Sequence, residues 1–160
     1  MHIRSYEASD LQQVINLTIE TFRPFYEDYV RPLLGDAVFR HQHGQWEQDY
    51  REQVPSLHAP ADGRHVAIAQ IDGAVAGYIA WTTDAKRHHG DIEILAVAAS
   101  YRRNHVARDL CEHAFQAMQS TGVEVVGVGT GGDPFHTPAR GLYESLGFTQ
   151  IPVAGYLKGL

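Results

Sequence analysis

The chain has a single cysteine, Cys111, in 160 residues, which excludes an intramolecular disulfide and a cysteine-based zinc site. No apolar run approaches the ~18 to 20 residues needed to span a bilayer, and the opening Ile3-Arg-Ser-Tyr6 reads as a strand rather than a basic and apolar leader. A soluble, cytoplasmic protein without a membrane partner is therefore expected. No Pro/Ser-rich linker, low-complexity run or internal repeat divides the sequence, so one domain over 1–160 is expected. Positive charge is not in excess: 13 Lys and Arg against 19 Asp and Glu leave a net −6, which argues against nucleic-acid binding and suits cationic substrates. The ten histidines form no zinc spacing. The adjacent histidines of Lys86-Arg-His-His89 would point to opposite sides of an extended segment, so no metal is expected. A Rossmann reading fails for want of a Gly-x-Gly-x-x-Gly and of a parallel βαβ repeat.

Hydrophobic residues at 44% and charged residues at 20% exclude a disordered chain. His2 to Tyr6 reads as a first strand, and Ser9-Asp-Leu-Gln12 as a capping box opening a helix with Leu11, Val14, Ile15, Thr18 and Phe22 on one side. Pro24 should interrupt that helix. Further helical stretches are expected over Phe25 to Leu34 and along a pattern with Phe39, Trp46, Tyr50 and Val54, weakened by Gly44. The segments 65–71 and 74–81 flank Asp72-Gly73, a two-residue turn signal that predicts a hairpin. Asp91 to Ala98, Val123 to Val128 and Phe148 to Val153 read as strands, with a last one near Tyr156. The order is mixed α/β.

The segment from Leu95 to Arg108 carries the chemistry. An apolar strand runs into a basic turn and straight on into an amphipathic helix with Val106, Ala107, Leu110, Cys111, Ala114, Ala117 and Met118 on one face and Gly122 as its stop. The first amides of such a helix have no intrahelical partner and the dipole adds positive character, so the turn is an anion site. The alternative is a solvated basic turn. Cys111, on the apolar face, reads as packing rather than as a nucleophile. Thr137-Pro-Ala-Arg-Gly-Leu-Tyr-Glu-Ser-Leu-Gly-Phe148 reads as a second, short helix with Thr137 as N-cap, Pro138 at its first position and Gly147 as its stop.

Together these segments resemble the GCN5-related N-acetyltransferase (GNAT) superfamily. Arg102, His105 and Ala107 stand at the fixed positions of its Gln/Arg-x-x-Gly-x-Gly/Ala diphosphate loop, with His105 where glycine is usual. Ala139, Leu142, Tyr143, Glu144, Gly147 and Phe148 match the later Asn-x-x-Ala-x-x-Leu-Tyr-Glu-x-x-Gly-Phe pattern, with His136 in place of asparagine. The resemblance implies a mixed, mostly antiparallel twisted sheet flanked by helices, with a splayed central strand pair. It implies acetyl-coenzyme A as cosubstrate, with the pantetheine arm along Leu95 and Val97. The diphosphate would lie on the amides of Arg103, Asn104, His105, Val106, Ala107 and Arg108, with Arg102, Arg103 or Arg108 adding charge-assisted bonds.

A substrate ammonium with pKa near that of lysine, ~10, must lose a proton before it attacks a thioester. By period-two alternation Glu93 shares a strand face with Asp91, Leu95 and Val97. The resemblance makes Glu93 the first candidate base, acting through water, with Asp91 a weaker alternative; a solvated strand carboxylate or an ion pair is the competing reading. It makes Tyr143 the acid for the leaving thiolate, against a packing role. His136 could replace the asparagine as a donor to pantetheine or serve as a base, or be a loop residue with no role. The resemblance implies that Phe22, Phe25, Tyr26, Tyr29, Trp46 and Tyr50, with Glu20, Glu27, Asp28, Glu47 and Asp49, form one wall of the acceptor cleft, where aromatic and acidic groups can hold a small-molecule or peptide amine. The competing reading is that much of the set is core or ordinary surface. A homodimer is common in the family, and Gly155-Tyr-Leu-Lys-Gly-Leu160 is the strand that could pair across it. The implied activity is direct acetyl transfer to an amine. The rivals are an acyltransferase using another acyl-coenzyme A or an alcohol acceptor, and a non-catalytic sensor of the same fold.

Overall fold

The Asp72-Gly73 pair seeds the sheet. In the computed structural model, which describes residues 1–160, Asp72 takes φ 50° and Gly73 φ 82°, the positive values that a two-residue hairpin turn requires. This joins β2 (Arg64–Ile71) to β3 (Ala74–Asp84). β4 (His89–Val97) extends the antiparallel meander, β1 (His2–Ser5) pairs antiparallel with β2, and β5 (Val125–Val128) pairs parallel with β4. The strand order is β1-β2-β3-β4-β5.

Alternation along the strands splits the core between the two faces. Ile68, Tyr78, Ala80 and Ile94 pack with Val14, Phe39 and Trp46 of the N-terminal helices. Ala67, Ala69, Ile79 and Trp81 pack with Val106, Leu110, Ala114 and Met118 of α5 (Val106–Ser120). Leu110 is fully buried, so cutting it to alanine would cost about 2–5 kcal/mol.

The N-terminal helices differ from the sequence expectation in three places. The helix start is closed not by Ser9 but by Asp10, whose Oδ2 accepts the Glu7 amide at 2.8 Å while Arg4 donates to both carboxylate oxygens at 2.7 Å. Those Arg4 hydrogen bonds hold the Asp10 carboxyl below its ordinary range despite burial. Pro24 does not interrupt the chain's helical path: it ends α1 (Leu11–Pro24), and a π turn over Phe25–Val30 carries on into α2 (Arg31–Leu34). The wider turn fits at the point where a missing proline N–H has already broken the regular ladder. The third pattern divides at Gly44 into α3 (Asp36–His43) and α4 (Trp46–Gln53).

The expected strands over Phe148 to Val153 and near Tyr156 are absent. Residues 149–160 form no strand and are exposed throughout. Alternating apolar residues make a strand only where a ladder and a layer receive them. Here Pro152 lacks a donor, Gly155 and Gly159 weaken extension, and nothing covers Ile151 or Val153. No helix is long and apolar enough to cross a membrane.

Candidate cofactor and transfer site

β4 and β5 are paired only from His89 opposite Val125 to Ile92 opposite Val128. Beyond Ile92 they part, and the outer edge of β4 along Leu95 and Val97 has no strand beside it. The expected splay is thus present. A cleft of about 910 Å³ opens there, bounded by β4, the 99–108 turn, Gly129 and Thr130 after β5, and α6 (Thr137–Ser145). Its lining includes Glu93, Leu95, Val97, Arg102, Arg103, His105, Val106, Ala107, Arg108, His136 and Tyr143. Of the cofactor residues, the first candidate base and the candidate acid read from sequence, only Asn104, exposed in the turn, lies outside that lining; Asp91 and most of the expected acceptor wall lie outside it too.

The turn presents backbone donors. None of the amides from Arg103 to Arg108 donates to a carbonyl; the first bond of the helix is Asp109 N–H to the His105 carbonyl at 3.0 Å. Six consecutive N–H groups without a protein partner at a helix N-terminus are a donor set suited to an anion. His105 does not sit in the helical region, where a side chain would be at ease. It is the N-cap at φ 60°, ψ 1°, and Arg103 is also left-handed at φ 63°. The chain therefore keeps the backbone that glycine would adopt, at a cost of about 1–2 kcal/mol per residue. Arg102 Nε donates to the Val97 carbonyl at 3.3 Å, and Arg108 donates to Ser145 Oγ at 2.7 Å, tying α5 to α6.

Tyr143 is 8% exposed, within the α5-side core, and its hydroxyl makes no hydrogen bond inside the protein. Burial pushes its phenol pKa well above the ordinary value, so it stays protonated and able to donate. Its neighbour Cys111 is fully buried, and burial lifts the thiol to about 12. A thiol held protonated at neutral pH is no acyl carrier.

The alternation argument for Glu93 fails in part. Trp81 pairs with Ile92 but Ala80 with Ile94, leaving Glu93 as the extra residue of a bulge. A bulge resets the faces. Ile92 packs with Leu95 and Val97 on the α5 side, and Ile94 with Ala96 on the other. Asp91 consequently does not share the face of Leu95: it bonds His89 Nε2 at 3.2 Å and lies beside Gly127 of β5. Glu93 remains in the cleft lining and exposed.

The aromatic wall is mostly core. Tyr26 stacks on the buried Trp46 with ring centroids 4.7 Å apart, and Tyr50 on Phe22 at 5.5 Å. Glu27 is taken by Arg31 and by the Trp46 indole, and Glu47 by Arg23. Phe22 and Thr21 reach the cleft, and the π turn sets Phe25 against Phe135 and His136. Phe135 was not foreseen. Neither was Asp133, whose Oδ2 lies 2.7 Å from His136 Nδ1; the Asp-x-x-His spacing is the signal that could have pointed to it. The N-cap of α6 is His136 rather than Thr137, because Asp133 Oδ1 accepts the His136 amide at 3.1 Å.

A sheet that opens beyond Ile92, a run of unpartnered amides and a buried phenol thus meet in one cleft. The chain belongs to the acetyltransferase (GNAT) family, whose model matches residues 12–148. Among curated proteins, an uncharacterized N-acetyltransferase, YsnE of Bacillus subtilis (strain 168), is 36% identical over 69 residues, which are 42% of this chain and 46% of that protein. The matched stretch is thus about half the length of that relative. Among solved structures, a GNAT-family acetyltransferase from Staphylococcus aureus Mu50 superposes with TM-score 0.72 at 14% identity, covering 94% of this chain and 85% of that one. The aminoglycoside N-acetyltransferase AAC(6')-Iy, in complex with a bisubstrate analogue, has TM-score 0.69 at 18% identity over 99% and 98%. A ribosomal-protein-alanine N-acetyltransferase from Brucella melitensis has TM-score 0.67 at 11% identity over 99% and 98%. At such identities these likenesses establish the fold.

Proposed function

We propose that this protein transfers the acetyl group of acetyl-coenzyme A directly to a primary amine of a small molecule or peptide. The observation that carries the reading is the run of six unpartnered amides, Arg103 to Arg108, beside the open edge of β4 and in the same cleft as Tyr143. When bound, acetyl-coenzyme A supplies an activated thioester. The amide run and the arginines hold its diphosphate, and the Leu95–Val97 edge offers backbone pairing to the pantetheine arm. Glu93 draws the ammonium to the cleft wall and passes its proton on through water. Tyr143 donates its phenolic proton to the departing thiolate. Direct transfer is favoured over a covalent acyl-enzyme because the one thiol is buried and protonated. The structural neighbours named for aminoglycoside and for ribosomal-protein alanine acetylation share this fold almost equally. The acceptor is therefore set by the side chains at the cleft mouth rather than by the fold.

Calorimetric titration with acetyl-coenzyme A, with free coenzyme A and ATP as controls, tests the reading. Micromolar binding selective for the two coenzyme A compounds, followed by acetylated product in a primary-amine screen, is the expected result. Selective binding with no product across the screen favours the sensor reading, and no binding removes the cofactor site.

A further inference from the structure

The His136–Asp133 pair stands at the junction between the π turn and α6, apart from the Arg103 to Arg108 amide run. Both side chains are largely buried, at 14% and 9% exposure. Asp133 accepts twice from His136, from the backbone amide and from the ring Nδ1. Burial works to raise the Asp133 pKa, yet the His136 contacts outweigh it and leave the carboxyl below its ordinary range. An ionised Asp133 can only accept, so the 2.7 Å contact makes Nδ1 the donor, and whenever the ring carries one proton Nε2 holds the lone pair. Nε2 has no partner inside the protein and is not sealed off from solvent, while His136 lines the transfer cleft.

Three further features hold this geometry. Arg140 donates to the carbonyls of Gly131 and Asp133 at 2.6 and 2.7 Å, fixing the loop that carries the carboxylate. Gly131 passes so close that a Cβ there would strike Asp133 Oδ2 and lie 2.6 Å from His136 Nδ1. Phe25 and Phe135 meet the imidazole edge-on, with centroids 4.8 and 4.9 Å away. Buried carboxylate, oriented imidazole and free Nε2 are the arrangement that makes histidine a directed proton acceptor.

We propose that His136 Nε2 is the final acceptor of the proton lost by the substrate ammonium, with Asp133 as the positioning residue. The inference rests on the transferase reading above and names the destination of the proton that Glu93 passes through water. An ammonium N–H bond breaks and its proton joins Nε2, giving an imidazolium paired with the Asp133 carboxylate. The freed amine lone pair forms the C–N bond at the thioester carbonyl as the C–S bond breaks. The sulfur takes the Tyr143 proton, and the second proton shed by nitrogen restores the phenol. His136 returns its proton to solvent.

Two measurements on the full chain test this. Histidine NMR on the 15N-labelled protein, followed over a pH series, reads the tautomer of the singly protonated ring without any acceptor: the proton on Nδ1 is expected, and the Nε2–H tautomer overturns the proposal. Turnover is then compared with phenethylamine and kanamycin as alkylammonium probes and aniline as a probe already neutral at pH 7. For alkylammonium acceptors, His136→Asn should lower kcat about 100-fold or more, because a positioned base contributes roughly 10²–10⁴. It should leave KM for acetyl-coenzyme A within about twofold, the pattern of an interaction lost only in the transition state. Aniline turnover should change little, and added imidazole should partly restore His136→Ala. Equal loss with aniline, or a rise in KM alone, overturns the proposal and makes His136 a cofactor contact. Failure of the wild-type protein to bind acetyl-coenzyme A strikes the transferase reading and leaves the tautomer result standing.

Discussion

The end of the cleft proposed for the cofactor and the end proposed for the acceptor are built by different means. The former is one contiguous stretch, Leu95 to Arg108, that offers unpartnered backbone amides and a strand edge with no neighbouring strand. The acceptor end is assembled from Thr21 and Phe22 on α1, Phe25 in the π turn, Glu93 at a bulge, and Phe135 and His136 before α6. Backbone recognition tolerates almost any side chain, and His105 keeps the left-handed backbone that glycine would adopt. Side-chain recognition depends on which distant residues the packing brings together. The same fold can thus keep one cosubstrate and change acceptors.

Tyr143 bridges the two ends, and its substitution should separate chemistry from binding most sharply. Tyr143→Phe is expected to lower kcat about 100- to 1,000-fold with acetyl-coenzyme A affinity unchanged, since it removes a proton donor and no binding group. Unchanged turnover would take the phenol out of the mechanism.

Ala107→Asp breaks the cofactor end alone. A carboxylate in the first turn suits the helix dipole, so the melting temperature should hold or rise. The same charge a few ångströms from a diphosphate costs on the order of 1–4 kcal/mol, so affinity for acetyl-coenzyme A should fall about 10-fold or more. Retained affinity in calorimetry would place the diphosphate elsewhere.

His105→Gly is the mildest change. It releases the left-handed strain at φ 60° and should raise stability by about 1 kcal/mol in denaturant unfolding. Cofactor affinity should stay equal or improve. A loss of stability would mean that the imidazole makes compensating contacts.

The local structure of the 95–108 stretch was legible beforehand because it is contiguous. The apolar strand, basic turn and amphipathic helix are consecutive in the chain, and free amides follow from any helix start. The hairpin at Asp72-Gly73 was legible for the same reason. Asp91 was assigned to the wrong face because alternation holds only until a strand bulges, and the Glu93 bulge arises in pairing with β3. The C-terminal alternation suggested strands, but no ladder partner receives residues 149–160. Pro24 looked like a stop because proline removes a helical bond, whereas the π turn absorbs the defect.

By itself, then, the sequence determined the family, the mixed sheet and the strand–turn–helix of 95–108 with its unpartnered amides, all carried by neighbouring residues acting through backbone geometry. Only the tertiary structure decided the bulge that aims Glu93 and the sinking of Trp46 and Tyr26 into the core. It also decided the seating of Phe25 against His136 and the locking of Asp133 onto its ring. Those outcomes depend on which side chains compete for the same buried space and the same hydrogen-bond partners, a competition settled when distant segments pack together.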